Sequence, residues 1–121
     1  MANVLIVDDS KYLRLMISKI IKKMGHNVIA EAGNGEEAIE FFKQYKPDLI
    51  TMDVVMPKLN GLQAVKEIMA INPNARIIIV TALGHEPLVR QALKLGAKDF
   101  VIKPFKVEQL IQAVENTLGQ T

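Results

Sequence analysis

Polar residues capable of phosphate or metal chemistry stand at the ends of short apolar runs. Asp8 and Asp9 follow Val4 to Val7, Asp53 follows Leu49 to Met52, Thr81 follows Ile77 to Val80, and Lys103 follows Phe100 to Ile102. If these ends converge, three carboxylates share one rim with a hydroxyl and an ammonium. Two unit charges about 4 Å apart repel by roughly 4 kcal/mol at an effective dielectric near 20, equivalent to about three pKa units. Lys103 supplies one positive charge, so a hard divalent cation with oxygen ligands is the natural completion. Mg²⁺ prefers one or two carboxylates, waters and a phosphate oxygen, whereas a donor set without His or Cys argues against zinc. Asp53, after the middle run, is then the nucleophile candidate, because a carboxylate can accept a phosphoryl group as an aspartyl phosphate. Phosphoryl transfer asks mainly for positioning and charge stabilisation, which a metal, a Lys and a hydroxyl supply without a separate general base.

Each residue also has a plain structural reading. Asp9 or Ser10 could cap a helix, Thr81 could be a strand-end hydroxyl, Lys103 a solvated charge, and Asp53 the start of a turn toward Pro57. What speaks for a site is their coincidence, since packing demands no polar residue at strand ends that meet in one place.

The elements that must position them alternate regularly. Five strand-length apolar runs, Val4 to Val7, Val28 to Ala30, Leu49 to Met52, Ile77 to Val80 and Phe100 to Ile102, are rich in Val and Ile and poorly alternating. Such runs suit strands covered on both faces. Helical spacing follows each run. It is carried by Leu13, Met16, Ile17, Ile20, Ile21 and Met24 ahead of Gly25, and by Ala38, Phe41, Phe42 and Tyr45 behind Asn34 and Glu37. Leu62, Val65, Ile68 and Met69 form the third set, Leu88, Val89, Ala92 and Leu93 ahead of Gly96 the fourth, and Val107, Leu110, Ile111, Val114 and Leu118 the fifth. A strict βα alternation predicts an α/β, flavodoxin-like (βα)5 three-layer sandwich with a parallel sheet in the order 2-1-3-4-5. In that order the first and third strands are neighbours, and ligands bind beyond the carboxyl ends of the strands. Pro47, Pro57, Pro73, Pro87 and Pro104 fall outside strand and helix interiors.

The chain has 121 residues, 50% hydrophobic and 23% charged, with no Cys and a net charge of +2. That is room for one domain, residues 1–121, with its own core. The charge is too small for a dedicated nucleic-acid binder, and six aromatics, mostly at core spacing, offer no stacking platform. The opening apolar run is too short for membrane insertion or an export signal, and the lack of Cys fits a reducing cytoplasm. Gly33, Gly35 and Ala38 spell G-x-G-x-x-A, with Asp53 twenty residues beyond Gly33. Glu36 and Glu37 would face the pyrophosphate, and an edge strand is the wrong place for it. A small phosphotransferase acting on external substrates is disfavoured, since no lid segment is available to enclose them.

With Val4-Leu5-Ile6-Val7-Asp8-Asp9-Ser10, Met52-Asp53, Met56-Pro57-Lys58-Leu59-Asn60-Gly61, Gly96-Ala97-Lys98-Asp99-Phe100 and Lys103-Pro104-Phe105, the chain resembles the receiver domains of two-component response regulators along its length. The resemblance implies a phosphorylated switch rather than an enzyme, monomeric and cytoplasmic. Asp53 would accept a phosphoryl group from a sensor histidine kinase. Asp9 and Asp53 would ligate Mg²⁺ directly, Asp8 through water and Val55 through its carbonyl. Thr81 would hydrogen-bond the phosphoryl group and Lys103 would pair with it, next to a cis bond before Pro104. Helix 4, strand 5 and helix 5 would form the face for a downstream partner such as the flagellar motor switch, and a phosphatase could act on the modified form. A receiver cut from a larger regulator and a phosphorelay intermediate are the alternatives. Arg90, Lys94 and Lys98, with Lys106 as an extension, read equally as a solvated helix face or as a basic surface suited to an acidic or amphipathic peptide. His26 and His85 read as loop residues rather than ligands.

Family switching couples Thr81 to an aromatic, here Phe100, whose other reading is plain core. A phenylalanine has no hydroxyl, so packing alone would hold an inward rotamer. Val55 and Leu83, two residues after Asp53 and Thr81, stand where the family tunes hydrolysis, and both are apolar. Neither can orient an attacking water, so the phosphorylated protein is expected to lose its phosphoryl group slowly. Following the adduct by intact mass after removal of the phosphodonor checks this, and a half-life of seconds would refute it.

Overall fold

Apolar β-branched runs and capped amphipathic segments build the alternation that the spacing predicts. A computed structural model describes residues 1–56, 59–82 and 84–119. The elements are β1 (Asn3–Val7), α1 (Lys11–Lys23), β2 (Asn27–Ala32), α2 (Gly35–Tyr45), β3 (Leu49–Met52), α3 (Gly61–Ile71), β4 (Ile77–Ala82), α4 (Glu86–Leu95), β5 (Asp99–Lys103) and α5 (Val107–Gly119). The five strands pair in parallel in the order β2-β1-β3-β4-β5. Pro57, Lys58, Leu83, Gln120 and Thr121 lie outside the described residues, so the readings of Pro57 in its turn, Lys58 in its motif and Leu83 as a hydrolysis position gain no structural account.

Both faces of the sheet are buried, which explains why its strands read as continuous apolar runs. Leu5, Val7, Ile50, Met52, Ile77 and Ile79 face Ala38 and Phe42 of α2, Ala64, Val65 and Ile68 of α3, and Val89 and Ala92 of α4. Val4, Ile6, Leu49, Ile78 and Val80 face Ile17, Ile20 and Ile21 of α1 and Leu110, Ala113 and Val114 of α5. Successive strand residues thus alternate between two cores, as the two-residue period of a strand requires.

Local signals set the helix ends. Ser10 caps α1, its Oγ accepting the Leu13 N–H at 3.2 Å, so the capping reading belongs to Ser10 and leaves Asp9 free. Gly25 follows the α1 C-cap with φ of 89°, a conformation a Cβ would penalise. Asn34 Oδ1 accepts the Glu37 N–H at 2.9 Å, whereas the Glu37 carboxylate reaches the Gly33 N–H at 2.8 Å rather than the cap residue's own amide.

Four of the five strands are longer than the apolar runs suggest. β4 takes in Thr81 and Ala82, and β5 reaches from Asp99 to Lys103, because ladder pairing with a neighbour carries polar residues along. Thr81 and Lys103 are therefore held by the sheet itself rather than by the loops beyond it.

Gly61 opens α3, its N–H donating to the Val54 carbonyl at 3.2 Å. A Cβ there would run into the backbone of Asp53 and Val54, which no rotamer change relieves. The Gly61→Ala protein is expected to lose about 3 kcal/mol of stability, at the upper end of overpacking costs, read as a lower urea midpoint.

Candidate functional site

Because β1 and β3 are neighbours in register, with Val7 opposite Met52, the residues that follow them arrive side by side. The ladder continues one step past the strands: the Asp8 N–H donates to Ala32 O and the Asp53 N–H to Val7 O, both at 3.0 Å. Asp8 and Asp53 are 1% and 6% exposed, Thr81 is fully buried, and Asp9 is exposed.

The two buried carboxylates are partnered in the same manner. Lys103 Nζ donates to Asp8 Oδ2 at 2.7 Å and to Asp53 Oδ2 at 3.2 Å. The second oxygen of each acid takes hydrogens from nearer groups. Asp8 Oδ1 accepts the Ser10 N–H at 2.9 Å, while Asp53 Oδ1 accepts the Val55 N–H and the Thr81 hydroxyl, each at 3.1 Å. The Asp8 carbonyl receives Arg14 Nη1 at 2.6 Å, and Arg14 Nε pairs with Glu31 at 3.2 Å.

Burial pushes the Asp8 carboxyl above its ordinary range, against hydrogen bonds from Lys103 and Ser10 and the Lys103 charge, while the Asp53 charge pushes the same way as burial. Burial alone would lower Lys103. Its hydrogen bond to Asp8 and the charges of both acids outweigh that and hold its ammonium above the ordinary lysine value.

One oxygen from each of Asp8, Asp9 and Asp53 lies within 4.8 Å of the others. Three acids facing one ammonium, with oxygen donors only, fit a hard divalent cation. Of the positions singled out in the sequence, Asp8, Asp9, Asp53, Thr81 and Lys103 come together here, and Val55 enters through its N–H. The peptide between Lys103 and Pro104 is cis. Phe100 stands apart: it is 45% exposed, which removes the plain-core reading, and lines a cleft of about 480 Å³ with Lys103, Gln109, Gln112 and Asn116. The glycines of the dinucleotide-like motif are occupied, the Gly33 N–H by Glu37 and the Gly35 N–H by the Leu59 carbonyl at 2.9 Å.

Two residues were missed. Arg14 sits one turn into α1, where one cation among the five of an amphipathic helix gives no sign of reaching back to Asp8. His85 reads as a loop residue, yet its Nδ1 lies 3.3 Å from Thr81 Oγ1. The available signal was its place four residues after Thr81, just ahead of a helix. His26 keeps its structural reading, Nδ1 accepting the Ala2 N–H at 2.9 Å.

Comparison with known proteins gives the same family from an independent direction. The sequence profile of the response regulator receiver domain matches residues 4–115. The chain is 50% identical to the chemotaxis protein CheY of Thermotoga maritima, over 92% of each chain. It is 46% identical to CheY of Bacillus subtilis, over 96% of this chain and 97% of that one. A chain in the crystal structure of the CheX–CheY–BeF3–Mg complex from Borrelia burgdorferi superposes with a TM-score of 0.91 at 39% identity, covering 96% of this chain and 88% of that one.

The raised carboxyl of Asp8 has a consequence for stability. A folded pKa above the unfolded value of 3.8 gives a contribution present below 3.8 and lost as pH rises through the folded value. For Lys103, also raised, the contribution is present below 10.5 and lost only as alkaline pH passes its folded value. In EDTA, Asp8→Asn should therefore match wild type most closely at acid pH and be the more stable protein at neutral pH. Thermal unfolding of both from about pH 4 to 7 checks the sign, and a neutral-pH deficit in the variant would refute it.

Proposed function

The chain belongs to the response regulator receiver domains and is CheY-like; from that premise we propose that it is a phosphorylated switch whose acceptor is Asp53. The observation that carries the proposal is the shared ammonium of Lys103, held by Asp8 and Asp53 at once, with the Thr81 hydroxyl on the other Asp53 oxygen. That arrangement leaves a nucleophilic carboxylate flanked by one charge and one donor that can follow a phosphoryl group onto it.

An Asp53 oxygen attacks the phosphorus of a phosphohistidine on a sensor kinase. A P–O bond forms as the P–N bond breaks, and the electron pair leaves with the imidazole nitrogen. Lys103 turns from Asp53 to a phosphoryl oxygen while keeping Asp8, and Thr81 donates to another. These contacts stabilise the charge that spreads over the transferring group. Asp9 and Asp53 directly, Asp8 through water and Val55 through its carbonyl would hold Mg²⁺, which when bound neutralises negative charge on the phosphoryl oxygens. Hydrolysis of the aspartyl phosphate, unaided or with a phosphatase, resets the protein.

The readout belongs to the face of α4, β5 and α5. Exposed Arg90, Lys94, Lys98 and Lys106 and the half-exposed Phe100 give it positive charge and an aromatic anchor. Its partner would be an acidic or amphipathic segment of a target such as the flagellar motor switch. No helix among the described residues is long and apolar enough to cross a membrane. The proposed setting is the cytoplasm, with the chain acting as a single monomeric receiver.

Acetyl phosphate with Mg²⁺ should add one phosphoryl group to the wild-type protein by intact mass and none to Asp53→Asn. Turnover of the donor without a protein adduct, or an adduct that survives in Asp53→Asn, would overturn the assignment.

A further inference from the structure

The Thr81 hydroxyl carries one proton and two lone pairs. Its proton is directed to Asp53 Oδ1 at 3.1 Å, so the approach of His85 Nδ1 at 3.3 Å is a hydrogen bond only if the imidazole is the donor. His85 must then carry hydrogen on Nδ1, in a chain that runs from His85 Nδ1–H to Thr81 Oγ1 and from Thr81 O–H to Asp53 Oδ1. A ring with hydrogen on Nε2 would instead present a lone pair and compete with Asp53 for the one hydroxyl proton.

A second observation points the same way. His85 is the N-cap residue of α4 and makes no side-chain capping bond. Ser, Asp or Asn there would stabilise the helix by about 1 kcal/mol, but none would turn a ring back to Thr81. The position forgoes the local bond and keeps the one that reaches the site.

We propose that His85 is a positioning residue for Thr81, using its Nδ1–H to fix the hydroxyl rotamer and direct its proton toward Asp53 and the phosphoryl group bound there. Donation into Oγ1 also polarises the hydroxyl, making it a stronger donor to a developing negative charge. This role rests on the acceptor reading of Asp53.

The test is a double-mutant cycle of His85→Ala and Thr81→Ala, read as the rate of adduct formation with acetyl phosphate and Mg²⁺ by intact mass. His85→Ala should slow formation roughly three- to tenfold with Thr81 present, the worth of one ordinary hydrogen bond, and should have no effect in the Thr81→Ala background. Equal slowing in both backgrounds would mean that His85 acts only through α4, and no slowing in either would remove the role. Tautomer-sensitive ¹⁵N NMR of the unmodified wild type at about pH 8, where a free imidazole is neutral, should show hydrogen on Nδ1. Hydrogen on Nε2 would overturn the proposal even if the variants failed to fold. If wild type formed no adduct, the acceptor reading would fall and the role of His85 with it; an adduct formed equally fast without His85 would remove that role alone.

Discussion

Everything at the carboxyl edge of this sheet depends on one ammonium group serving two buried acids. Asp8 and Asp53 are 45 residues apart in sequence and nearly excluded from water, and Lys103 Nζ touches both. Burying an unpaired carboxylate costs several kcal/mol, and pairing two with a single cation leaves the account unbalanced by design. Burial is what chiefly raises the Asp8 carboxyl, and the Asp53 charge adds to it. A site built this way gains stability from whatever brings positive charge to it, which links its fold to its chemistry.

The sheet makes this possible by holding its four contributing strands side by side. β1 and β3 deliver their acids from adjacent ladders, while β4 and β5 pair Thr81 with Ile102 and Ala82 with Lys103. Helices pack both faces with residues such as Ile17, Ile68 and Val114, all 1% exposed or less, so the strand ends have little freedom to drift apart. Gly61 completes the frame, because the start of α3 must approach the Asp53 backbone more closely than any side chain allows. Thr81 and Lys103 thus sit within strands, and Asp8 and Asp53 one ladder step beyond theirs.

Much of this was legible in the sequence because two-faced burial leaves a strong mark. Runs such as Ile77 to Val80 have no polar side to expose, and caps such as Asn34 use short-range geometry that a few residues encode. The wall of the acidic cluster followed from strand order alone. What escaped was side-chain direction where two options have similar cost. Phe100 lies on an edge strand, so its ring can turn outward as easily as a core residue turns in. His85 precedes a helix, and only the fold shows that its ring turns back toward β4 instead of capping. Arg14 needed the third dimension as well, since its partners are the Asp8 carbonyl and Glu31 of β2, neither of them close to it on its own helix.

The exposed Phe100 also bounds how the proposed switch can work. The residue is 45% exposed, and burying what remains would yield roughly 2 kcal/mol at about 25 cal/mol per Å². Inverting a 99:1 population takes about 5.5 kcal/mol of preference between states. A phenylalanine brings no hydroxyl to make up the difference, so most of the preference must come from the other end of the coupling. There an added charge of about −1.5 to −2 would meet Lys103 and Thr81 in a pocket that already holds two acids. The aromatic residue would then follow the state of the site rather than set it. On this reading the basic surface around it waits on a decision made entirely at the strand ends.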